Sequence, residues 1–338
     1  MIEDRYSRQV NFRKIGEDGQ KKLMESTVVI IGLGALGTVC ANNLCRAGVG
    51  HIKLIDRDYV EISNLQRQTL YDEVDVLNEK PKVMAAYDHL RRINSSVTVE
   101  PIIAHIGPVN IEEMIRNCDL VLDCTDNFET RYLINEACYK QRVPWIYCGA
   151  IGSNCMTMNI IPNQTPCFMC FAGEDDNLHN GYTCSTIGVL NMVTGIAASY
   201  QSAEAIKILL KSEDVRTTLL YMDIWDNATE YIEVMRNPHC PVCGENKFAH
   251  LKAGQSTSAS VLCGKNEIQV IPRNVWKPDF HQLSFALSNL GKVDYNQFVL
   301  TFQQDSFTVK LFGDGRALIK NAKDENHAIA IYTEFFGG

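Results

Sequence analysis

The 338-residue sequence has no surplus of positive charge. Lys and Arg number 32 against 40 Asp and Glu, a formal net charge of −8. Without a net basic field to displace counterions, nucleic acid is excluded as the main partner. No apolar run approaches the roughly 20 residues that span a bilayer, so no membrane segment is expected. The first ten residues, MIEDRYSRQV, contain an acidic pair and no apolar stretch, which excludes a secretory signal. Internal repeats and low-complexity segments are also missing, which excludes repeat arrays.

Cysteine, by contrast, is abundant, with 13 residues scattered through apolar segments such as TVCANNLC and LVLDCTDN. That scatter fits buried, reduced thiols better than a disulfide framework and points to the cytoplasm. The length allows about two domains at roughly 150 residues each. Apolar residues make up 46% of the chain, enough for a substantial core.

Hydrophobic patterning predicts a helix over 16–26, a strand over 27–31, a helix over 35–47 and a strand over 51–56. Further on, helices are expected at 80–94, 110–118 and 127–142, and strands at 97–104, 119–126 and 144–151. This alternation implies an α/β fold, a doubly wound, mostly parallel Rossmann-like sheet. A polar crossing loop at 172–183 precedes a long helix at 188–210. Strands at 219–225 and 229–235 close that sheet or a second one. The expected domains are 1–250, a linker at 251–260, and a small α+β module at 261–338.

VVIIGLGALG, residues 28–37, joins the first strand to the next helix through Gly32, Gly34 and Gly37. Such a loop lets backbone approach phosphates at a helix N-terminus. Asp56, nineteen residues past Gly37, ends the second strand and suits ribose hydroxyls. Loop and acid together do not choose between NAD and ATP. DRDYVEISNLQRQ adds Asp58, Asn64, Arg67 and Gln68; Lys82 opens the next helix; Asp126 ends DLVLDCTD and Asn127 follows it. Hydride transfer has no use for two cations there, whereas reaction at a triphosphate does. Asp126 then becomes a natural magnesium ligand.

Cys167 and Cys170 in PCFMC, with Cys240 and Cys243 in CPVC, supply the four thiolates that structural zinc prefers. RYSRQ places Arg8 in an N-terminal segment outside the first βαβ unit. Alone it reads as a solvated arm, with an arginine finger as the functional alternative. Cys184, in YTCSTIG, alone reads as an unreactive packed thiol, with a nucleophile as the alternative.

RYSRQ, GLGALG, DRDYVEISNLQRQ, KPKV, DCTDN and the paired CxxC sites, in this order, resemble the ThiF/MoeB/HesA family of ubiquitin-activating-enzyme-like adenylyltransferases, over residues 3–246. The resemblance implies ATP-dependent adenylylation of the terminal carboxylate of a small ubiquitin-fold sulfur carrier ending in Gly-Gly, of thiamine or molybdopterin synthesis. It implies that Gly32, Gly34, Ala35, Gly37, Asp56, Asp58, Gln68 and Asn127 hold ATP. Asn64, Arg67 and Lys82 would contact phosphates, Asp126 would hold Mg2+, and the four cysteines would bind Zn2+. Arg8 would reach into the partner's site in a homodimer, and Cys184 matches a loop cysteine that some members link to the carrier. A sulfur donor such as a cysteine desulfurase is implied as a further partner. Two other readings stand beside it: an NAD-dependent oxidoreductase, and an inactive scaffold for a ubiquitin-like partner. The final Gly337 and Gly338 directly follow an expected helix and do not read as a carrier tail.

Overall fold

The computed structural model describes residues 4–173, 187–252, 258–261, 267–272, 276–304 and 306–337. The chain divides after Leu251 into two compact units.

The first unit is built on an eight-stranded sheet. Its strands are β1 (Thr27–Ile31), β2 (His51–Asp56), β3 (Thr98–Ile103), β4 (Leu120–Asp123), β5 (Trp145–Ile151), β6 (Asn154–Ile160), β7 (Leu219–Asp223) and β8 (Ala228–Ile232). They run in the order β3-β2-β1-β4-β5-β6-β7-β8. Pairings from β3 through β5 are parallel, and those from β5 to β8 are antiparallel. This is a mixed, Rossmann-like α/β sheet.

Both faces of β1 are covered, so the strand reads as an unbroken apolar run. Val28 and Ile30 join one core with Leu36, Cys40, Leu44 and Ala197. Val29 and Ile31 join the other with Ile134, Trp145, Phe168 and Val242. The first face is filled by the helices Ala35–Ala47, Lys82–Ile93 and Asn191–Leu209, the second by Phe128–Gln141. The Ala35–Ala47 helix ends because Gly48 adopts a left-handed φ of 80°, beside the Tyr6 ring.

Two local readings change, and a third, left open by the sequence, is decided. β6 was not anticipated from sequence: Thr157 and Asn159 interrupt its apolar pattern, yet both are fully buried under the Asn191–Leu209 helix. A two-residue loop, Gly152-Ser153, turns β5 into it. The strand expected over 119–126 ends at Asp123, leaving Asp126 on the following loop. The segments around 219–235 close the main sheet rather than forming a second one.

The second unit is an antiparallel sheet of six strands: β9 (Ser258–Val261), β10 (Glu267–Ile271), β11 (Lys292–Tyr295), β12 (Val299–Gln303), β13 (Thr308–Phe312) and β14 (Ala317–Lys320). Their order is β11-β12-β13-β14-β10-β9. β9 starts inside the stretch read as linker. The Glu325–Phe336 helix packs Ala328, Ile331 and Tyr332 with Leu300, Phe302 and Ile319. Among the described residues, no helix is long and apolar enough to cross a membrane.

Candidate active site and cysteine cluster

The strand order reverses at β1, which lies between β2 and β4. Ligands of open α/β sheets settle beyond the strand carboxyl ends at such a switch point. The glycine loop occupies that position. Gly32 has φ 91°, and a Cβ on it would stand 2.6 Å from the Cys124 carbonyl oxygen. At Gly37 a Cβ would lie 1.9 Å from the Gly32 carbonyl oxygen, so no side chain fits. Gly34 caps the helix that begins at Ala35, whose first-turn N–H groups are open to an anion.

Leu33 is held from both sides. Its N–H donates to Asp56 Oδ2 at 2.6 Å, and its carbonyl accepts from the Tyr71 hydroxyl at 2.8 Å. Asp56 Oδ1 accepts from the Asp58 N–H at 2.7 Å. Burial pushes the Asp56 carboxyl above its ordinary value, against the opposing pull of Lys82 and these two N–H donors. Lys82, at the head of its helix, places Nζ 3.3 Å from Asp58 Oδ2. Burial would lower the Lys82 pKa, but Asp58, Asp56 and Asp126 together raise it. One buried cation therefore faces three carboxylates from two chain segments, the end of β2 and the loop after β4.

Gln68 is buried beside the loop, and Asn64 is buried four residues before it. Asn64 Oδ1 accepts from the Glu61 N–H at 3.1 Å, closing a capping box. The Gln68 amide nitrogen lies 4.0 Å from where a Gly34 Cβ would be, and its Oε1 is shielded with no partner among the described residues. An orphaned buried oxygen at the head of a glycine loop fits a site that a ligand completes. Arg67 lies in the same segment and donates to the Ser63 carbonyl at 3.0 Å. Asp126 is exposed, whereas Asn127, its neighbour, caps the Phe128–Gln141 helix by accepting from the Thr130 N–H at 2.9 Å.

Two residues of this region were missed from sequence. Tyr71 is one. Arg131 is the other: buried, it donates to Asp123 Oδ2 at 3.2 Å and to the Thr125 carbonyl at 2.8 Å. Its guanidinium lies over the rings of Phe128 and Tyr147, at 5.1 and 5.2 Å. The available signal was an arginine within an otherwise core-facing helix.

Arg8 is exposed on the short Ser7–Val10 helix. This segment is anchored at the end of the Ala35–Ala47 helix away from the glycine loop. Gln9 donates to the Ala47 carbonyl at 2.8 Å, and Asn94 donates to the Tyr6 hydroxyl at 2.8 Å. Ala47 ends the helix that starts at the glycine loop, and 13 residues at about 1.5 Å each separate the two ends by about 20 Å.

Cys167, Cys170, Cys240 and Cys243 converge on one point, with all four sulfurs within 4.8 Å of one another. Sγ separations are 3.9 Å for Cys167–Cys170, 3.5 Å for Cys167–Cys240 and 3.4 Å for Cys170–Cys243. Thiolates at about 2.3 Å from a tetrahedral zinc stand about 3.8 Å apart, so the donor set and spacing fit. The hydrogen bond from Cys167 pulls Cys170 down to about 4, against burial, with help from the Asn237 N–H at 3.5 Å. The eleven described cysteines are all free thiols. Burial raises Cys124, Cys138 and Cys148 well above the ordinary thiol range, which makes them inert packing groups. Cys184 and the crossing loop from residue 174 onward lie outside the described residues.

A sequence model of the ThiF family matches residues 6–242. The chain is 41% identical over 336 residues to a sulfur carrier protein ThiS adenylyltransferase of Bacillus subtilis, covering 98% of this chain and 99% of that protein. It is 37% identical over 246 residues to the molybdopterin-synthase adenylyltransferase of Escherichia coli, covering 71% of this chain and 96% of that one. Among solved structures, E. coli MccB with ATP superimposes with a TM-score of 0.63 at 25% identity, over 72% of this chain and 75% of that chain.

Proposed function

The chain belongs to the ThiF family, and from that premise we propose that it adenylylates the terminal glycine carboxylate of a ubiquitin-like sulfur carrier of the ThiS or MoaD kind. The observation that carries the reading is full-length identity of 41% with a ThiS adenylyltransferase. The relationship runs through both units of the chain, which favours a ThiS-like carrier and thiamine synthesis.

The site's own residues suit this chemistry. A C-terminal carboxylate is ionised at neutral pH, so no general base is needed. Its oxygen attacks the α-phosphorus of ATP, a new O–P bond forms, and the bond to the pyrophosphate oxygen breaks. Charge accumulates on the phosphoryl oxygens and the leaving pyrophosphate, so preorganised cations lower the barrier. Lys82 and Arg67 fill that role, with Asn64 as a neutral donor. The Gly32–Gly37 loop and the open N–H groups from Ala35 cradle the phosphates. Asp56 takes the ribose, with Asp58, Gln68 and Asn127 completing the nucleotide contacts. Asp126 is the magnesium ligand, and the ion neutralises phosphate charge when bound.

Arg8 serves the other subunit's site in a homodimer. Its segment is fastened about 20 Å from its own glycine loop, so only a partner's site lies within its use. Cys167, Cys170, Cys240 and Cys243 hold a structural zinc that ties the chain around 167–170 to the 240–243 turn. Reduced, buried thiols support a cytoplasmic setting. A sulfur nucleophile from a donor such as a cysteine desulfurase then attacks the carrier's acyl carbon, so that an acyl–sulfur bond forms and AMP leaves, with Cys184 as the candidate covalent relay.

Exchange of labelled pyrophosphate into ATP, in the presence of a Gly-Gly-ended carrier, tests the proposal. Asp126→Ala should abolish exchange with zinc content and fold intact. Full exchange in that variant, or none in the wild type with any ThiS- or MoaD-like carrier, refutes it.

A further inference from the structure

The sheet face beneath the Asn191–Leu209 helix carries polar atoms that the nucleotide site does not use. Arg216 lies in the connection from that helix to β7. Its Nε, Nη1 and Nη2 are all shielded from solvent and have no hydrogen-bond partner among the described residues. Thr157 Oγ1 and Asn159 Oδ1, on β6, are in the same condition.

Backbone contacts bring the three residues together. Asn159 Nδ2 donates to the Arg216 carbonyl at 2.9 Å, and the Arg216 N–H donates to Glu204 Oε2 at 3.0 Å. Cross-strand register aligns Cys148, Thr157, Leu220 and Tyr231 in one row across β5 to β8. Register partners point to the same face. Glu204, Tyr231, Cys148 and Tyr200 are the titratable groups that act on the guanidinium, and Glu204 and Tyr200 belong to the Asn191–Leu209 helix.

Glu204 does not satisfy this cation. Its Oε1 is engaged by Lys207 Nζ at 2.6 Å. Its Oε2 accepts from Asn159 Nδ2 at 2.6 Å and from the Arg216 N–H at 3.0 Å. Two cations thus share one carboxylate, since tyrosine and cysteine are neutral near pH 7. A buried guanidinium that shares its only carboxylate with a second cation and has no acceptor for its N–H groups among the described residues is costly. Water alone would satisfy the N–H groups and leave the charge.

We propose that Arg216 and Thr157 bind a small monovalent inorganic anion of chloride size, with Asn159 Oδ1 linked to it through an ordered water. The donors outnumber the one orphaned acceptor, and the shielding of all three guanidinium nitrogens from solvent favours a small ion over a bulky one. The water is required because an amide oxygen repels an anion directly. The bound ion joins the segment after the long helix to β6, so its occupancy stabilises the antiparallel half of the main sheet.

Two measurements on the wild-type protein test this. Melting temperature is titrated with potassium chloride, potassium bromide and potassium gluconate at matched ionic strength, and crystals soaked in bromide are examined for anomalous scattering. Chloride and bromide should raise the melting temperature saturably, gluconate should not, and a bromide peak should stand beside Arg216. Arg216→Gln should weaken the chloride response roughly tenfold or more, and Thr157→Val should weaken it severalfold while keeping the guanidinium. Equal responses to chloride and gluconate, or water without bromide beside Arg216, overturn the proposal.

Discussion

Lys82 is fastened to Asp58 at both ends of the residue. Its N–H donates to the Asp58 carbonyl at 2.8 Å, and its ammonium stands 3.3 Å from the Asp58 carboxylate. The ammonium is thereby charged and positioned before any phosphate arrives, in a setting where burial alone would favour its neutral form. Lys82→Met should lower pyrophosphate exchange by about 10²–10³-fold, the usual cost of one preorganised charge at a transition state. Exchange at the wild-type rate would remove Lys82 from the reaction.

The Tyr71 hydroxyl sets the carbonyl of Leu33, whose N–H is set by Asp56. Tyr71→Phe deletes one buried hydrogen bond, worth about 0.5–1.5 kcal/mol. KM for ATP should rise about two- to tenfold with kcat little changed, because the role proposed for the loop is to bind nucleotide without reacting. A fall in kcat at constant KM would contradict this positioning role.

The Arg131–Asp123 pair is buried on both sides. Arg131→Ala strands the Asp123 carboxylate and should cost about 3–5 kcal/mol in urea unfolding. Arg131→Ala, Asp123→Ala double replacement should recover part of that loss. If the double variant is no more stable than the single one, the charge pairing is not what the site requires.

Asp75 gives a pH signature. Burial would raise its pKa, but hydrogen bonds from His89, the Asp72 N–H and Lys80 hold it below the ordinary carboxylate range. Its contribution is therefore present above about pH 3.9, the unfolded value, and is lost as pH falls through the lower folded value. Asp75→Asn should be less stable than wild type by about 1–3 kcal/mol at pH 7. The two stability curves should converge in strong acid; a constant gap down to that limit would exclude the linkage.

Mixing inactive Arg8→Ala with inactive Asp126→Ala should restore activity if the arginine acts across a dimer. Random reassortment makes half the dimers hybrid, each with one intact site, so recovery should approach about a quarter of wild-type activity. No recovery after confirmed subunit exchange would place Arg8 outside the partner's site.

Zinc is checked by metal analysis. One zinc per chain is expected, released with loss of thermal stability on strong chelation, and Cys240→Ala should lower both metal content and melting temperature. A metal-free wild-type protein of undiminished stability would rule out the structural ion.

Periodicity and turn chemistry alone determined the parallel half of the main sheet. Val28–Ile31 is apolar on both faces and is followed by Gly32, Gly34 and Gly37, so strand, loop and helix are written within ten residues. The paired CxxC motifs named four thiols as a candidate metal-ligand set before their convergence was visible, because ligand chemistry is a local property of residue type. Tertiary structure decided the rest. β6 was hidden since Thr157 and Asn159 are buried polar residues, and burial is a property of what packs above them rather than of the strand. Tyr71 and Arg131 carry no local motif; their roles follow from the carbonyls and carboxylates that folding brings within reach. The charge of Lys82 likewise belongs to the assembled site, because Asp56, Asp58 and Asp126 surround it only when the end of β2, the loop after β4 and the head of the Lys82–Ile93 helix meet.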